Sequence, residues 1–332
     1  MEYMLRDAFD DLLQTACTPQ VVRAIESGAD DGAALWALLD ESGFLAALEP
    51  EAAGGAGLGL ASVFDLLLLA GGHALPLPFA QTLLARGWLA AAGIEAPAGR
   101  IAFAPFVQDA AQGRQARVAG GAVADWVLAA DGEHARLLAT DGLAAEPDGV
   151  HASLAVTATW QTGAGRALAL PALGLRELAG LSMAVSVAGA AERVLAMAVA
   201  YARERQQFGR PIGKFQAIQH ELAVMAQEVG AMRIAAEQAC QIGLPLAGLP
   251  VCVAAYRNAA GAAPVSAAAH AIHGAIGVTA ELDLNLYTRR LLQWQGDAGS
   301  AAYWAQRIGS AALHAQESAL DFLRTQLIPQ TA

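Results

Sequence analysis

The residues with the clearest capacity for chemistry lie in one short polar stretch, residues 201 to 223, which reads YARERQQFGRPIGKFQAIQHELA. Its centre, residues 208 to 213, contains two glycines and a proline, which an unbroken α-helix does not tolerate cheaply. Side chains that donate hydrogen bonds flank this turn: Arg203, Arg205, Gln206, Gln207, Gln216 and Gln219. Two interpretations are open, namely a solvated helix end with Phe208 in the core, or a surface that holds a ligand.

The chain as a whole can bury a large core in two or three domains, because it has 332 residues of which 55% are hydrophobic and 15% are charged. A net charge of -11 without any basic run argues against nucleic acid or an anionic membrane as a partner. Cys17, Cys240 and Cys252 have no CxxC or His-paired spacing, which predicts no metal site and reduced thiols in the cytoplasm. The acidic start and the charges within the most apolar windows predict neither a signal peptide nor a membrane span.

Three regions with different patterns must position the polar stretch. Helical spacing predicts an N-terminal helical domain over residues 1–98, in which Thr18 and Pro19 begin a helix. Short segments separated by Asp-Gly turns predict a small middle β-domain over residues 99–175. Residues 176–332 are predicted to form a C-terminal four-helix bundle, with helices at 179–207, 214–241, 247–275 and 299–326. The expected fold class is therefore α+β, mainly α.

The polar stretch, together with AVSVAGAAERVLAMAVA before it, resembles the C-terminal domain of FAD-dependent acyl-CoA dehydrogenases. An Arg-x-x-Phe-Gly turn and a Phe-Gln helix start recur in that family. The resemblance extends to all three regions in the family order, through LWALLDESGFLAALEPEAAGG, ADWVLAAD and AIHGAIGVTAELDLNLYTRRLL. It implies FAD as the cofactor, an acyl-CoA as the substrate, and the helical, β and helical-bundle architecture of that family.

In this family the Arg-x-x-Phe turn of one subunit reaches the flavin that is bound mainly by its neighbour. The resemblance implies that Arg205 faces the diphosphate, that Gln207 donates a hydrogen bond and that Phe208 packs against the cofactor. The family's Gln-x-x-Gly-Gly segment is altered here to Ala-Ile-His-Gly-Ala at residues 271–275. The residues implied to bind the cofactor are Arg205, Gln207, Phe208, Gln216, Gly274 and Ala275.

The position of the catalytic base departs from the family pattern. Dehydrogenation needs a carboxylate beside the α-carbon, but the family's usual Glu falls on Gln295, whose carboxamide cannot accept the proton. The stretch that holds the Glu in other members, residues 258–274, offers Ala262 and contains no acid. The β-domain segment at Ala104 and Pro105 also lacks the Glu and the hydroxyls of the family's Thr-Glu-Pro motif. The base and flavin-ring elements are eroded, whereas the turn offered to a neighbour's flavin is intact.

This asymmetry resembles the degenerate subunit of heteromeric acyl-CoA dehydrogenases, which implies a related subunit as partner and a bulky acyl-CoA as substrate. A second hypothesis is a self-sufficient homo-oligomer, a dimer or tetramer, whose base has moved to Asp297 or Glu281. A third is an interaction protein that keeps the fold without flavin. Arg289 and Arg290 either meet a CoA phosphate or pair with acids of the same segment, such as Glu281 or Asp283.

Overall fold

The computed structural model describes residues 2–111, 113–150, 152–244, 246 and 248–327. Residue 1 and residues 328–332, at the ends of the first and third predicted domains, lie outside the described residues. The helices are α1 (Glu2–Ala16), α2 (Pro19–Glu26), α3 (Ala33–Glu41), α4 (Phe64–Gly72), α5 (Phe79–Ala91), α6 (Ala172–Glu204), α7 (Gln216–Cys240), α8 (Leu249–His273), α9 (Leu284–Trp294), α10 (Ala301–His314) and α11 (Ala319–Phe322). The strands are β1 (Ile101–Ala104), β2 (Val107–Ala110), β3 (Gly113–Val118), β4 (Trp126–Asp131), β5 (His134–Ala139), β6 (Ala144–Pro147), β7 (Val156–Trp160), β8 (Arg166–Pro171), β9 (Gln206–Gln207) and β10 (Arg210–Pro211).

The N-terminal region is helical, as its spacing predicts. The predicted start of α2 is confirmed, because the Thr18 side chain accepts a hydrogen bond from the Val21 N–H and Pro19 opens the helix. Fully buried aromatic rings hold α1 against α5, since Phe9 stacks on Phe79 with ring centroids 4.9 Å apart. Residues of α5 and of the segment before it, including Leu77 and Gln81, line a cavity between the regions.

The middle β-domain consists of two four-stranded sheets, in the orders β1-β4-β5-β8 and β2-β3-β7-β6. Only the β1–β4 pair among these strands is parallel. Side chains alternate across β1: Ile101 and Phe103 join the core shared with the helices, and Ala102 and Ala104 join the core between the sheets. The first sheet is therefore covered on both faces, which explains why all of β1 is buried.

The C-terminal region is organised around α6, which contacts α4, α7, α8 and α9. This helix begins at Ala172, so the predicted domain boundary after residue 175 lies in its first turn. The single helix predicted over 299–326 is wrong: α10 ends at His314 and α11 begins at Ala319. The side chain of Ser318 accepts a hydrogen bond from the Asp321 N–H and so starts a new helix within that range.

Among the described residues, α6 is the one helix long and apolar enough to cross a membrane by length and composition. However, 56% of its most apolar window is buried within the protein. Such burial is typical of a core helix, which agrees with the expectation from the charges inside this segment.

Candidate functional site

The polar turn after α6 is a short hairpin in which β9 and β10 pair antiparallel, with Gln207 opposite Arg210. Phe208 and Gly209 form its tip with φ angles of 52° and 78°, as a two-residue turn of left-handed residues requires. The Phe208 side chain is 93% exposed. The interpretation that places Phe208 in the core is therefore wrong, and the hairpin presents an aromatic ring to its surroundings.

The same hairpin exposes hydrogen-bond donors. Arg205 and Gln207 are exposed, and neither side chain has a partner within the described residues. The Arg210 guanidinium lies 4.2 Å from the centroid of the Phe215 ring, which is a cation–π contact between the hairpin and the residue before α7. Gln216 is exposed and opens α7, where backbone N–H groups are free. The implied cofactor-binding residues of this stretch are thus all accessible to solvent.

The implied glycine-rich segment lies at the same end of the bundle. Gly274 and Ala275 are exposed in a short 3-10 turn after α8, and Gly274 has a φ of 65°. The preceding His273 is buried and stacks on Tyr201 with a centroid distance of 4.5 Å. Because the Tyr201 carbonyl also accepts a hydrogen bond from the Arg205 N–H, this stack joins the turn to the base of the hairpin.

A partly open cavity of about 100 Å³ lies where the three regions meet. Its walls come from the α4–α5 connection, from β-domain residues such as Phe103 and Pro105, and from α6 and the segment after α9. Ala104 is fully buried between the two sheets and does not line the space. The Pro105 carbonyl accepts a hydrogen bond from Arg176 at 3.0 Å. The altered motif at residues 104–105 therefore presents no polar side chain to the cavity.

The residue at the usual base position does not face this cavity. Gln295 follows the last residue of α9, and its Nε2 donates to the Leu292 carbonyl at 3.1 Å. Gln295 is absent from the described residues that line the cavity, and so is Glu281, which is exposed. The side-chain amide of Gln295 thus caps the C-terminal end of α9.

Asp297, the other candidate for a relocated base, does line the cavity. Its side chain is 12% exposed and forms an ion pair with Arg117, which also lies 3.3 Å from Asp148. Burial raises the pKa of Asp297 above its ordinary value, and the Arg117 guanidinium opposes that shift. The carboxylate is therefore placed at the cavity but already paired.

A second charged cluster at the cavity was not predicted. Glu26, at the end of α2, lies 2.6 Å from Arg289 Nη2 and 3.0 Å from Arg290 Nη2, and its side chain is 4% exposed. The alternative in which these arginines pair with acids of their own segment is wrong, since Asp283 pairs instead with Arg23 at 2.8 Å. Glu26 and Arg289 are 263 residues apart, so local sequence patterns gave no signal for this contact.

Comparisons with known proteins agree with this architecture. Residues 177–313 match the family model of the acyl-CoA dehydrogenase C-terminal domain. Acyl-CoA dehydrogenase IpdE2 of Mycolicibacterium smegmatis is 34% identical over 289 residues, which cover 86% of this chain and 91% of the relative. Its counterpart in Mycobacterium tuberculosis is 35% identical over 298 residues, with coverages of 86% and 89%.

Solved structures agree over nearly the whole chain. A chain of the ChsE4-ChsE5 complex from Mycobacterium tuberculosis aligns with a TM-score of 0.82 at 25% identity, covering 95% of this chain and 98% of that one. A chain of a Tcur3481-Tcur3483 steroid ACAD variant aligns with a TM-score of 0.82 at 28% identity, with coverages of 94% and 97%. The predicted order of helical, β and helical-bundle regions is confirmed. The chain belongs to the acyl-CoA dehydrogenase family, whose members are FAD-dependent oxidoreductases.

Proposed function

We propose that this chain is the subunit of a heteromeric acyl-CoA dehydrogenase that lacks the catalytic base and completes the flavin site of a related subunit. One contrast carries the proposal. Arg205, Gln207 and Phe208 lie exposed at a short hairpin, whereas the Gln295 amide is bonded to its own helix. Two structural relatives are named as pairs of proteins, which supports a related chain as the partner.

The exposed hairpin suits the diphosphate and adenosine portion of FAD. The Arg205 guanidinium can donate two parallel hydrogen bonds to phosphate oxygens, and Phe208 offers an aromatic face. The first turn of α7, a helix of 25 residues, adds free N–H groups beside Gln216. FAD held there would supply the hydride acceptor for α,β-dehydrogenation of an acyl-CoA, and the carboxylate that accepts the α-proton would have to come from the related subunit.

The substrate in this proposal is a bulky acyl-CoA. One structural relative is named a steroid ACAD, which supports a polycyclic acyl group or a long fatty acyl chain. The complex would work in the cytoplasm, which suits the three buried, unpaired cysteines.

The proposal predicts the flavin content of the purified protein. The chain expressed alone is expected to carry little or no FAD, because the flavin-ring motif at Ala104 and the usual base position at Gln295 are altered. Co-expression with a related subunit is expected to give an assembly with about half a flavin per chain, since only one type of site is complete. The measurement is the visible absorption spectrum together with the protein concentration. Absence of flavin from both preparations would refute the proposal and favour an interaction protein.

A second candidate function is a self-sufficient homo-oligomer that uses Asp297. The observation that favours it is the position of Asp297 on the cavity wall. Full flavin occupancy of the isolated chain, with acyl-CoA oxidation lost in Asp297→Asn, would support this candidate over the heteromeric one.

Replacing Arg205 with alanine is expected to weaken FAD retention by the mixed assembly by about 10- to 100-fold, because a charge-assisted hydrogen bond to the diphosphate is lost. The fold should be unaffected, since the side chain is exposed. Lysine should restore only part of the affinity, because it lacks the planar fork. Equilibrium dialysis against FAD measures the effect, with Arg203→Ala as the matched control from the preceding turn. Equal retention by the two alanine variants would remove Arg205 from the flavin site.

A further inference from the structure

Two segments of the proposed flavin-facing surface begin beside one pair of stacked rings. Arg205, at the base of the hairpin, lies one helical turn after Tyr201, and Gly274 and Ala275 follow His273 directly. The Tyr201 and His273 rings stack with centroids 4.5 Å apart and an interplanar angle of 26°. Because the hairpin and the turn are far apart along the chain, this stack is a contact at which the position of one can be set relative to the other.

The backbone around Tyr201 holds the base of the hairpin. The Arg205 N–H donates to the Tyr201 carbonyl at 2.8 Å, and the Arg205 carbonyl accepts from the Ile212 N–H at 2.8 Å. The returning chain lies close to the same turn of α6, since a Cβ atom built on Gly213 would lie 3.0 Å from the Ala202 carbonyl oxygen. Both sides of the hairpin therefore contact the last turn of α6, and a displacement of that turn displaces Arg205 with it.

His273 holds the turn after α8 in a comparable way. The residue is 5% exposed, and its Nδ1–H donates to the Ala269 carbonyl at 2.8 Å, which fixes the orientation of the ring because a carbonyl oxygen only accepts. The turn packs back against this residue, since a Cβ atom built on Gly277 would lie 2.9 Å from the His273 Cβ. Gly274 leaves α8 with a φ of 65°, a conformation that favours glycine. The path of the turn therefore depends on where the imidazole lies.

A stacked pair of rings restricts the distance between the two backbones that carry it. Ring stacking has a preferred separation and orientation, whereas aliphatic side chains at the same two positions would remain in contact over a wider range of distances. A binding site that uses two separate segments needs both at the correct distance, because a small displacement of one segment weakens its contacts with the ligand. The stack is therefore suited to hold the hairpin and the turn at one fixed spacing.

We propose that Tyr201 and His273 are positioning residues, whose stack sets the spacing between the hairpin and the Gly274–Ala275 turn so that both contact one FAD molecule. This inference rests on the proposed function, because it assigns a role to two residues that lie behind the flavin-facing surface. The stacked rings act through their neighbours and not by contact with the cofactor. Arg205 supplies the charged contact, and the stack determines where its guanidinium lies relative to the turn.

Replacing His273 with leucine is expected to weaken FAD binding by the mixed assembly by about 10-fold, because the stack is lost while most of the apolar volume is kept. His273→Phe keeps a stacked ring and should stay within about 3-fold of the wild-type affinity. Tyr201→Leu and Tyr201→Phe should differ in the same order, which tests the stack from its other side. Phe79→Leu is the matched control, since it removes a ring from the Phe9–Phe79 stack in the N-terminal region and should leave FAD binding unchanged. Equilibrium dialysis measures the affinity, and visible circular dichroism of the bound flavin reports a change in its surroundings.

A double-mutant cycle with Arg205 separates positioning from a general loss of stability. If the stack acts through Arg205, His273→Leu should weaken FAD binding by only about 3-fold or less in an Arg205→Ala background. The same factor in both backgrounds would overturn the inference, because a merely structural effect is independent of Arg205. Equal affinities of the wild-type and His273→Leu assemblies, or a His273→Phe variant as weak as His273→Leu, would also overturn it. Failure of the wild-type assembly itself to bind FAD would refute the proposed function and this inference with it, so the two failures are distinguishable.

Discussion

Replacing Gly189 with leucine is expected to lower the free energy of unfolding by about 3 kcal/mol or more, because the new side chain has no room between α6 and α4. A Cβ atom built on Gly189 would lie 1.9 Å from the carbonyl oxygen of Leu68. On the facing helix, a Cβ atom on Gly71 would lie 2.2 Å from the carbonyl oxygen of Ser186. These neighbours are backbone atoms, so relief requires the two helices to move apart. Urea unfolding at fixed protein concentration, followed by tryptophan fluorescence, measures the loss.

Alanine substitutions at two glycines are expected to change the free energy of unfolding in opposite directions. Gly189→Ala is expected to destabilise by about 1–3 kcal/mol through the same clash. Gly230→Ala, in the middle of α7, is expected to stabilise by about 0.5–1 kcal/mol, because no atom lies within 4 Å of the added Cβ and alanine favours the helix. Equal effects of the two substitutions would contradict the close approach of α4 to α6. Hydrogen exchange in α4 should rise only in the Gly189 variants.

The helix contact also shows what local patterns in the sequence can and cannot predict. Apolar spacing predicts a helix over residues 179–207, of which residues 179–204 lie in α6, and the glycine and proline content correctly predicts a turn after it. Apolar spacing does not predict which glycine of α6 contacts another helix, because the contact depends on a partner more than 100 residues away. The strand β7, which pairs with both β3 and β6, was likewise not singled out by the sequence patterns.

The candidate site likewise has one part that a local sequence motif predicts and one part that it does not. The hairpin residues follow one another along the chain, so a local motif was enough to locate Arg205, Gln207 and Phe208. Only the family resemblance placed Phe208 outside the core, because an isolated phenylalanine is more often buried. The cavity is assembled from all three regions, and its charged end joins α2 to α9. No spacing rule connects those helices, which is why neither alternative for Arg290 included Glu26.

Replacing Glu26 with glutamine is expected to lower the free energy of unfolding by about 3–5 kcal/mol, because it leaves two arginines without their shared carboxylate. Arg290 is 5% exposed and cannot turn to bulk water, whereas Arg289 is more accessible. The exposed pair formed by Arg23 and Asp283 offers the matched control. Asp283→Asn removes one carboxylate from a surface pair and should cost no more than about 1 kcal/mol.

A double variant separates uncompensated charge from lost packing. Glu26→Gln combined with Arg290→Met removes the buried cation as well as the carboxylate, so it is expected to be more stable than Glu26→Gln alone. If the loss came only from packing around Glu26, the second substitution would add to it, and the double variant would be the least stable of the set. The comparison requires urea unfolding of all three variants and the wild-type chain in one buffer. Recovery in the double variant would establish that Glu26 is retained to neutralise the buried Arg290 at the edge of the cavity.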